Sequence, residues 1–161
     1  MGKAYISKGY SQTKRLGFDL ARKILKLSSG KNALVLGLKG DLGGGKTTFL
    51  QGFARGLKVK EKVLSPTFVI MRRFKIPKNK SCFSDFYHMD SYRIKKPKEI
   101  QELGFKKIVS SSNNIVAIEW ADKISKALPE KTIWIDFDFI DKNKRKITVK
   151  SNQTKWKIKS L

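Results

Sequence analysis

Apolar positions along this chain repeat with two different periods, and the switches between them predict its elements. Leu16, Leu20, Ile24 and Leu27 fall at helical spacing, forming one face of a helix that opens near Ser11, a possible cap, and closes near Leu27. Residues 33–38 form an unbroken apolar run, as expected of a strand buried on both faces. Helical spacing returns with Phe49, Leu50, Phe53, Ala54 and Leu57, which predict a helix from about Lys46. Past a lysine-rich link, residues 68–71 are β-prone, and Pro66 pushes Ser65 into an extended shape. Residues 77–81 read as a hairpin connection and 82–87 as its return strand. Pro97 opens a helix that turns Ile100, Leu103 and Ile108 inward. A second buried strand, 115–118, ends at Glu119-Trp120. A short helix capped by Asp122 is stopped by Pro129, and strands follow at 132–139 and 146–150. Short edge strands are expected at 4–7 and 156–158. This alternation predicts one α/β domain over residues 1–161, with a mixed central sheet flanked by helices.

Composition narrows the picture. One cysteine, Cys82, excludes an internal disulfide and a cysteine-built metal cage. No apolar run is long enough to span a bilayer, and the first residues lack the apolar core of a secretory signal, so a cytoplasmic protein is expected. The net charge is +23, from 36 Lys+Arg against 13 Asp+Glu. Lysines occur in every segment and no single basic helix collects them, which favours a solvated surface. A nucleic-acid or acidic protein partner stays open as the alternative.

The candidate chemistry centres on Gly40-Asp41-Leu42-Gly43-Gly44-Gly45-Lys46-Thr47-Thr48, which fits the phosphate-loop pattern G-x-x-x-x-G-K-[ST]. Its glycines allow a tight turn whose amides face an anion, and Lys46 reaches the terminal phosphates. Thr47 offers the hydroxyl that a phosphate-bound magnesium ion needs. The strand before and helix after complete a P-loop NTPase-like unit, with the helix dipole facing the phosphates. Glu119, at a strand end, can reach the magnesium shell or orient the attacking water; the bland alternative is a solvent-facing glutamate. In His88-Met89-Asp90-Ser91-Tyr92-Arg93, Asp90 can position water or join the metal shell. His88 and Arg93 can hold Asp90 or bind phosphate, and His88 is read as structural. Ser65 and Thr67 suit either a phosphate sensor or a β-turn. Trp120 packs over the nucleotide or in the core, and Trp134 and Trp156 are structural. Thr13 contacts the base or supports its helix end.

Taken together, the loop, Ser65-Pro66-Thr67-Phe68, the 88–93 motif, Ile118-Glu119-Trp120 and the stretch 99–104 resemble the bacterial TsaE family in order and spacing, from about Thr13 to Val149. The resemblance implies a P-loop ATPase that binds ATP and Mg2+ and supports threonylcarbamoyladenosine formation in tRNA by acting on a TsaD–TsaB complex. It implies that Leu42, Gly43, Gly44, Gly45, Lys46, Thr47 and Thr48 hold the phosphates, that Thr47 and Glu119 hold the metal, and that Asp90 is an acid near the terminal phosphate. It also places Trp120 at the site, gives Thr13 a nucleotide contact, and leaves a C-terminal contact at Lys144 or Arg145. Contact with tRNA would come through the complex. Gly44 departs from a usual alanine, and the positive charge departs from acidic members. Two other readings compete: a small-molecule or nucleoside kinase, and an RNA-binding module with an ATP switch.

Overall fold

A computed structural model of the chain describes residues 2–65, 69–78 and 80–151. Its strands are β1 (Gly2–Ser7), β2 (Leu34–Gly40), β3 (Met71–Lys75), β4 (Asp85–Asp90), β5 (Asn114–Glu119), β6 (Ile133–Phe139) and β7 (Arg145–Lys150). The α-helices are α1 (Tyr10–Ile24), α2 (Lys46–Gly56), α3 (Pro97–Glu102) and α4 (Phe105–Ser110), and Ala121–Ala127 is a 3-10 segment. The strands form one seven-stranded sheet in the order β1-β7-β6-β2-β5-β4-β3. β2 lies at its centre, parallel to β5 and β6; β5 is parallel to β4, while β1, β7 and β3 add antiparallel pairings. The expected mixed α/β sheet is therefore present.

Period-two alternation divides the apolar strands between two cores. Leu36, Leu38, Ile115 and Ala117 face α1 and α2, packing with Leu20, Ile24, Phe49, Leu50 and Phe53. Val35, Val116 and Ile118 face the other way, against Ile100, Phe105, Ala121 and Ile124. All six residues of β5 are buried. That double coverage explains why β2 and β5 appear in the sequence as continuous apolar runs.

Several boundaries differ from the sequence expectation. Ser11 lies inside α1, whose N-cap is Gly9, and Leu27 follows α1 in a turn. The return strand runs Asp85–Asp90, later than the predicted 82–87, so His88 and Asp90 belong to the strand itself. The helix after Pro97 breaks at Gly104, which has φ 70°, giving two short helices. Trp120, not Asp122, precedes the 3-10 segment. Trp134 packs with the second core, as its structural reading requires. Residues 66–68 and Trp156 lie outside the described residues.

At the β3–β4 hairpin, burial opposes ionisation of Asp85. Hydrogen bonds from Arg73, Lys75 and Ser84 outweigh it, and the carboxyl falls to about 2. A depressed folded value adds stability above the ordinary carboxylate range and loses it as pH falls through that range toward 2. Asp85→Asn is expected to cost about 1 kcal/mol at pH 7, because both cations are largely exposed and screened. Urea unfolding at stepped pH should show the variant and parent converging between about pH 4 and 2.

Candidate functional site

The central strand β2 runs into the glycine loop, and the loop's shape follows from its residue types. A Cβ on Gly40, where φ is 140°, would stand 2.5 Å from the Phe137 carbonyl oxygen, so only glycine fits beside β6. Gly43 and Gly45 take φ of 73° and 101°, left-handed values that side chains resist. Gly45 is also the N-cap of α2, and no side chain caps that helix. The first amides of α2 therefore point into the pocket mouth without an intrahelical acceptor.

Lys46 opens α2 and folds over the loop. Its Nζ donates to Gly40 O at 2.6 Å and to Asp41 O at 2.8 Å, and lies 4.0 Å from the Trp120 ring centroid. Burial lowers its pKa, while Glu119, Asp41, Asp90 and Asp122 oppose the shift. The next residue, Thr47, donates its hydroxyl to Glu119, with Oε1 at 3.0 Å and Oε2 at 2.9 Å. Glu119 ends β5 and is 3 % exposed. On β4, Asp90 pairs in register with Glu119. Asp90 Oδ1 accepts from the Tyr92 amide at 2.8 Å, and Oδ2 accepts from the Ser65 hydroxyl at 3.4 Å.

Leu42 to Thr48, Ser65, Ile70, Asp90, Tyr92, Arg93, Glu119 and Trp120 line one pocket of about 360 Å³. The predicted loop residues, Asp90, Glu119 and Trp120 thus line one pocket, whereas Thr13 does not. That residue is buried behind the loop, its hydroxyl 2.8 Å from Ser7 Oγ and its methyl beside Gly45. At the C-terminal hairpin, Lys144 pairs with Asp141. Arg145 instead reaches the loop, with Nη2 donating to Gly43 O at 3.4 Å and the guanidinium 4.0 Å over Phe139. Of the two, Arg145 is the one in contact with the loop.

The donor set suits a hard, phosphate-borne cation. Thr47 and Glu119 bring a hydroxyl and a carboxylate together, and no cluster of three or more metal-ligating side chains occurs among the described residues. Mg2+ sites in nucleotide-binding proteins generally use one or two protein oxygens and substrate phosphates, with water completing the shell.

Two features were not read from the sequence. Tyr92 packs against Trp120 at 5.0 Å, and Lys123 covers that pair while donating to Tyr92 O. His88, read as structural or as a support for Asp90, instead meets Glu119, with Nε2 2.8 Å from Oε1. The signal available was the period-two placement of His88 and Asp90 on one strand face, which needs the β4–β5 register to become a contact.

Residues 7–147 match the family model described as "Threonylcarbamoyl adenosine biosynthesis protein TsaE". The chain belongs to the TsaE family. It is similar to the tRNA threonylcarbamoyladenosine biosynthesis protein TsaE of Rickettsia prowazekii, at 39 % identity over 71 % of this chain and 74 % of that one. The protein of that name from Haemophilus influenzae is 34 % identical over 79 % and 76 %. The Bacillus subtilis one is 36 % identical over 79 % and 77 %. The crystal structure of Bacillus subtilis YdiB matches with a TM-score of 0.73 at 27 % identity, covering 97 % of this chain and 89 % of that one. The TsaE match thus takes in the loop, β4, β5 and the start of β7, including Arg145. It ties the chain to tRNA threonylcarbamoyladenosine biosynthesis, on a P-loop NTPase-like fold. Among the described residues, no helix is long and apolar enough to cross a membrane.

Proposed function

We propose that this TsaE-family chain is an ATPase that binds Mg2+–ATP and acts on a TsaD–TsaB complex in the cytoplasm, supporting threonylcarbamoyl transfer to tRNA. The observation that carries this reading is the Thr47–Glu119 hydrogen bond beside Lys46, at the carboxyl ends of β2 and β5. In α/β sheets, ligands gather at that end. The loop amides and Lys46 grip the phosphates. The Thr47 hydroxyl can offer a lone pair to the cation while its O–H donates to Glu119. When bound, Mg2+ neutralises charge on the transferring phosphoryl group. Asp90, fixed by the Tyr92 amide, directs a carboxylate oxygen toward the attacking water.

The test is phosphate release from ATP, measured alone and with purified TsaD–TsaB. Stimulation by the pair supports the reading; no release in either case sinks it. Transfer of phosphate to a metabolite instead would favour the kinase reading.

Arg145 is taken as the C-terminal nucleotide contact, because it bridges Phe139 and the loop. Arg145→Ala is expected to raise KM for ATP several-fold, roughly three to ten, with kcat little changed. Steady-state kinetics would show this split, and a selective fall in kcat would contradict the assignment.

A further inference from the structure

We propose that His88 is the positioning residue of the site: it holds one oxygen of Glu119 so that the other faces the cation. The inference rests on the Mg2+–nucleotide reading of the pocket.

The register of β4 against β5 pairs His88 with Ala117 and Asp90 with Glu119. Alternation then puts all four side chains on the sheet face covered by α2. Ala117 is fully buried and small, so the imidazole can lean across it toward Glu119. The ring itself is 0 % exposed, and its Nε2 stands 2.8 Å from Glu119 Oε1. Facing a carboxylate, Nε2 is the donor.

Thr47 cannot set the carboxylate alone. Its hydroxyl oxygen lies almost equally near Oε1 and Oε2, at 3.0 and 2.9 Å, so its single proton has no preferred acceptor. His88 reaches only Oε1 and removes that ambiguity. Oε2 is left with acceptor capacity toward the pocket, where a cation or its water would sit.

The cost of this arrangement argues against a filling role. His88 Nδ1 is buried with no partner among the described residues. Leaving a buried polar atom unpaired is unfavourable, and an apolar ring of similar size would avoid it. The strand neighbours Phe86 and Met89 are apolar and fully buried. Among the described residues, the one polar bond of the His88 side chain goes to Glu119.

Three variants separate positioning from packing: His88→Ala, His88→Phe and His88→Gln. Phe fills the space without a donor. Gln places an amide donor about where Nε2 sits. The probe is Mn2+, followed by electron paramagnetic resonance, with a non-hydrolysable ATP analogue on the intact chain. Nucleotide affinity in EDTA is measured in parallel. His88→Ala and His88→Phe are expected to weaken Mn2+ binding about tenfold or more, with metal-free nucleotide affinity within about twofold of the parent. His88→Gln should recover most of the loss, and kcat should follow the same order with KM for ATP little changed. If His88→Phe binds Mn2+ like the parent, or if a folded His88→Gln recovers nothing, the positioning role is overturned. If the parent retains no nucleotide, the pocket reading fails first and takes this inference with it. If the parent binds Mn2+–nucleotide and the variants match it, only the inference fails.

Discussion

On the proposed ATPase reading, a Lys46→Ala chain is expected to keep its fold and to lose ATP hydrolysis about a hundredfold or more. The two halves of that result have one cause. Lys46 is buried at the loop, and burial already disfavours its charge. A lysine whose pKa is lowered on folding weakens the native state at pH values where it stays protonated. Its removal therefore relieves a cost, and pocket water can solvate the Gly40 and Asp41 carbonyls it leaves behind. The same charge is what a triphosphate needs. Thermal melting without nucleotide should be unchanged or raised, while partner-stimulated phosphate release collapses. A variant that hydrolyses ATP near the parental rate would remove the loop from the mechanism.

The second large effect is expected at the crossing of α1 and α2. A Cβ on Gly52 would lie 1.9 Å from Lys14 O, and one on Gly17 would lie 2.0 Å from Phe49 O. Gly56 meets Phe18 O at 2.6 Å in the same way. The obstructing atoms are backbone, so no rotamer change makes room. Alanine gains about 1 kcal/mol of helix propensity over glycine. Forced overpacking against backbone costs more, about 3 kcal/mol or beyond, and decides the sign. Gly52→Ala should lower the melting temperature by roughly 10 °C. It should also weaken nucleotide binding, because α2 carries Lys46 and Thr47 at its start. A melt within a few degrees of the parent would mean the helices can separate freely.

The phosphate loop was legible because its chemistry is local: the glycines, Lys46 and Thr47 are contiguous, and their flanks announce strand and helix. The buried strands were legible because coverage on both faces leaves no polar alternation in β2 and β5. What stayed hidden depends on neighbours distant in sequence. The return strand slid to Asp85–Asp90 because Phe83 and Ile76 are buried outside the ladder and look like strand residues. The break at Gly104 needed its φ of 70°. His88 could not be joined to Glu119 until the β4–β5 register set them together. Arg145 was separated from Lys144 only by which one the hairpin turns toward Gly43. The glycines of α1 and α2 looked like weak helix residues, although they are the contact surface.

β3 is an outer strand of the sheet, and it carries Arg72, Arg73 and Lys75. An outer strand presents unpaired amides and carbonyls that a second molecule can copy. For two such margins to join, their backbones would have to approach to about 4.8 Å. That would crowd two rows of guanidinium and ammonium groups, with Asp85 neutralising only part of each. The lysine and arginine excess thus acts as a barrier to fibre growth along this border. Exchanging these three residues for threonine would be expected to make concentrated samples gel or precipitate, even with the pocket untouched.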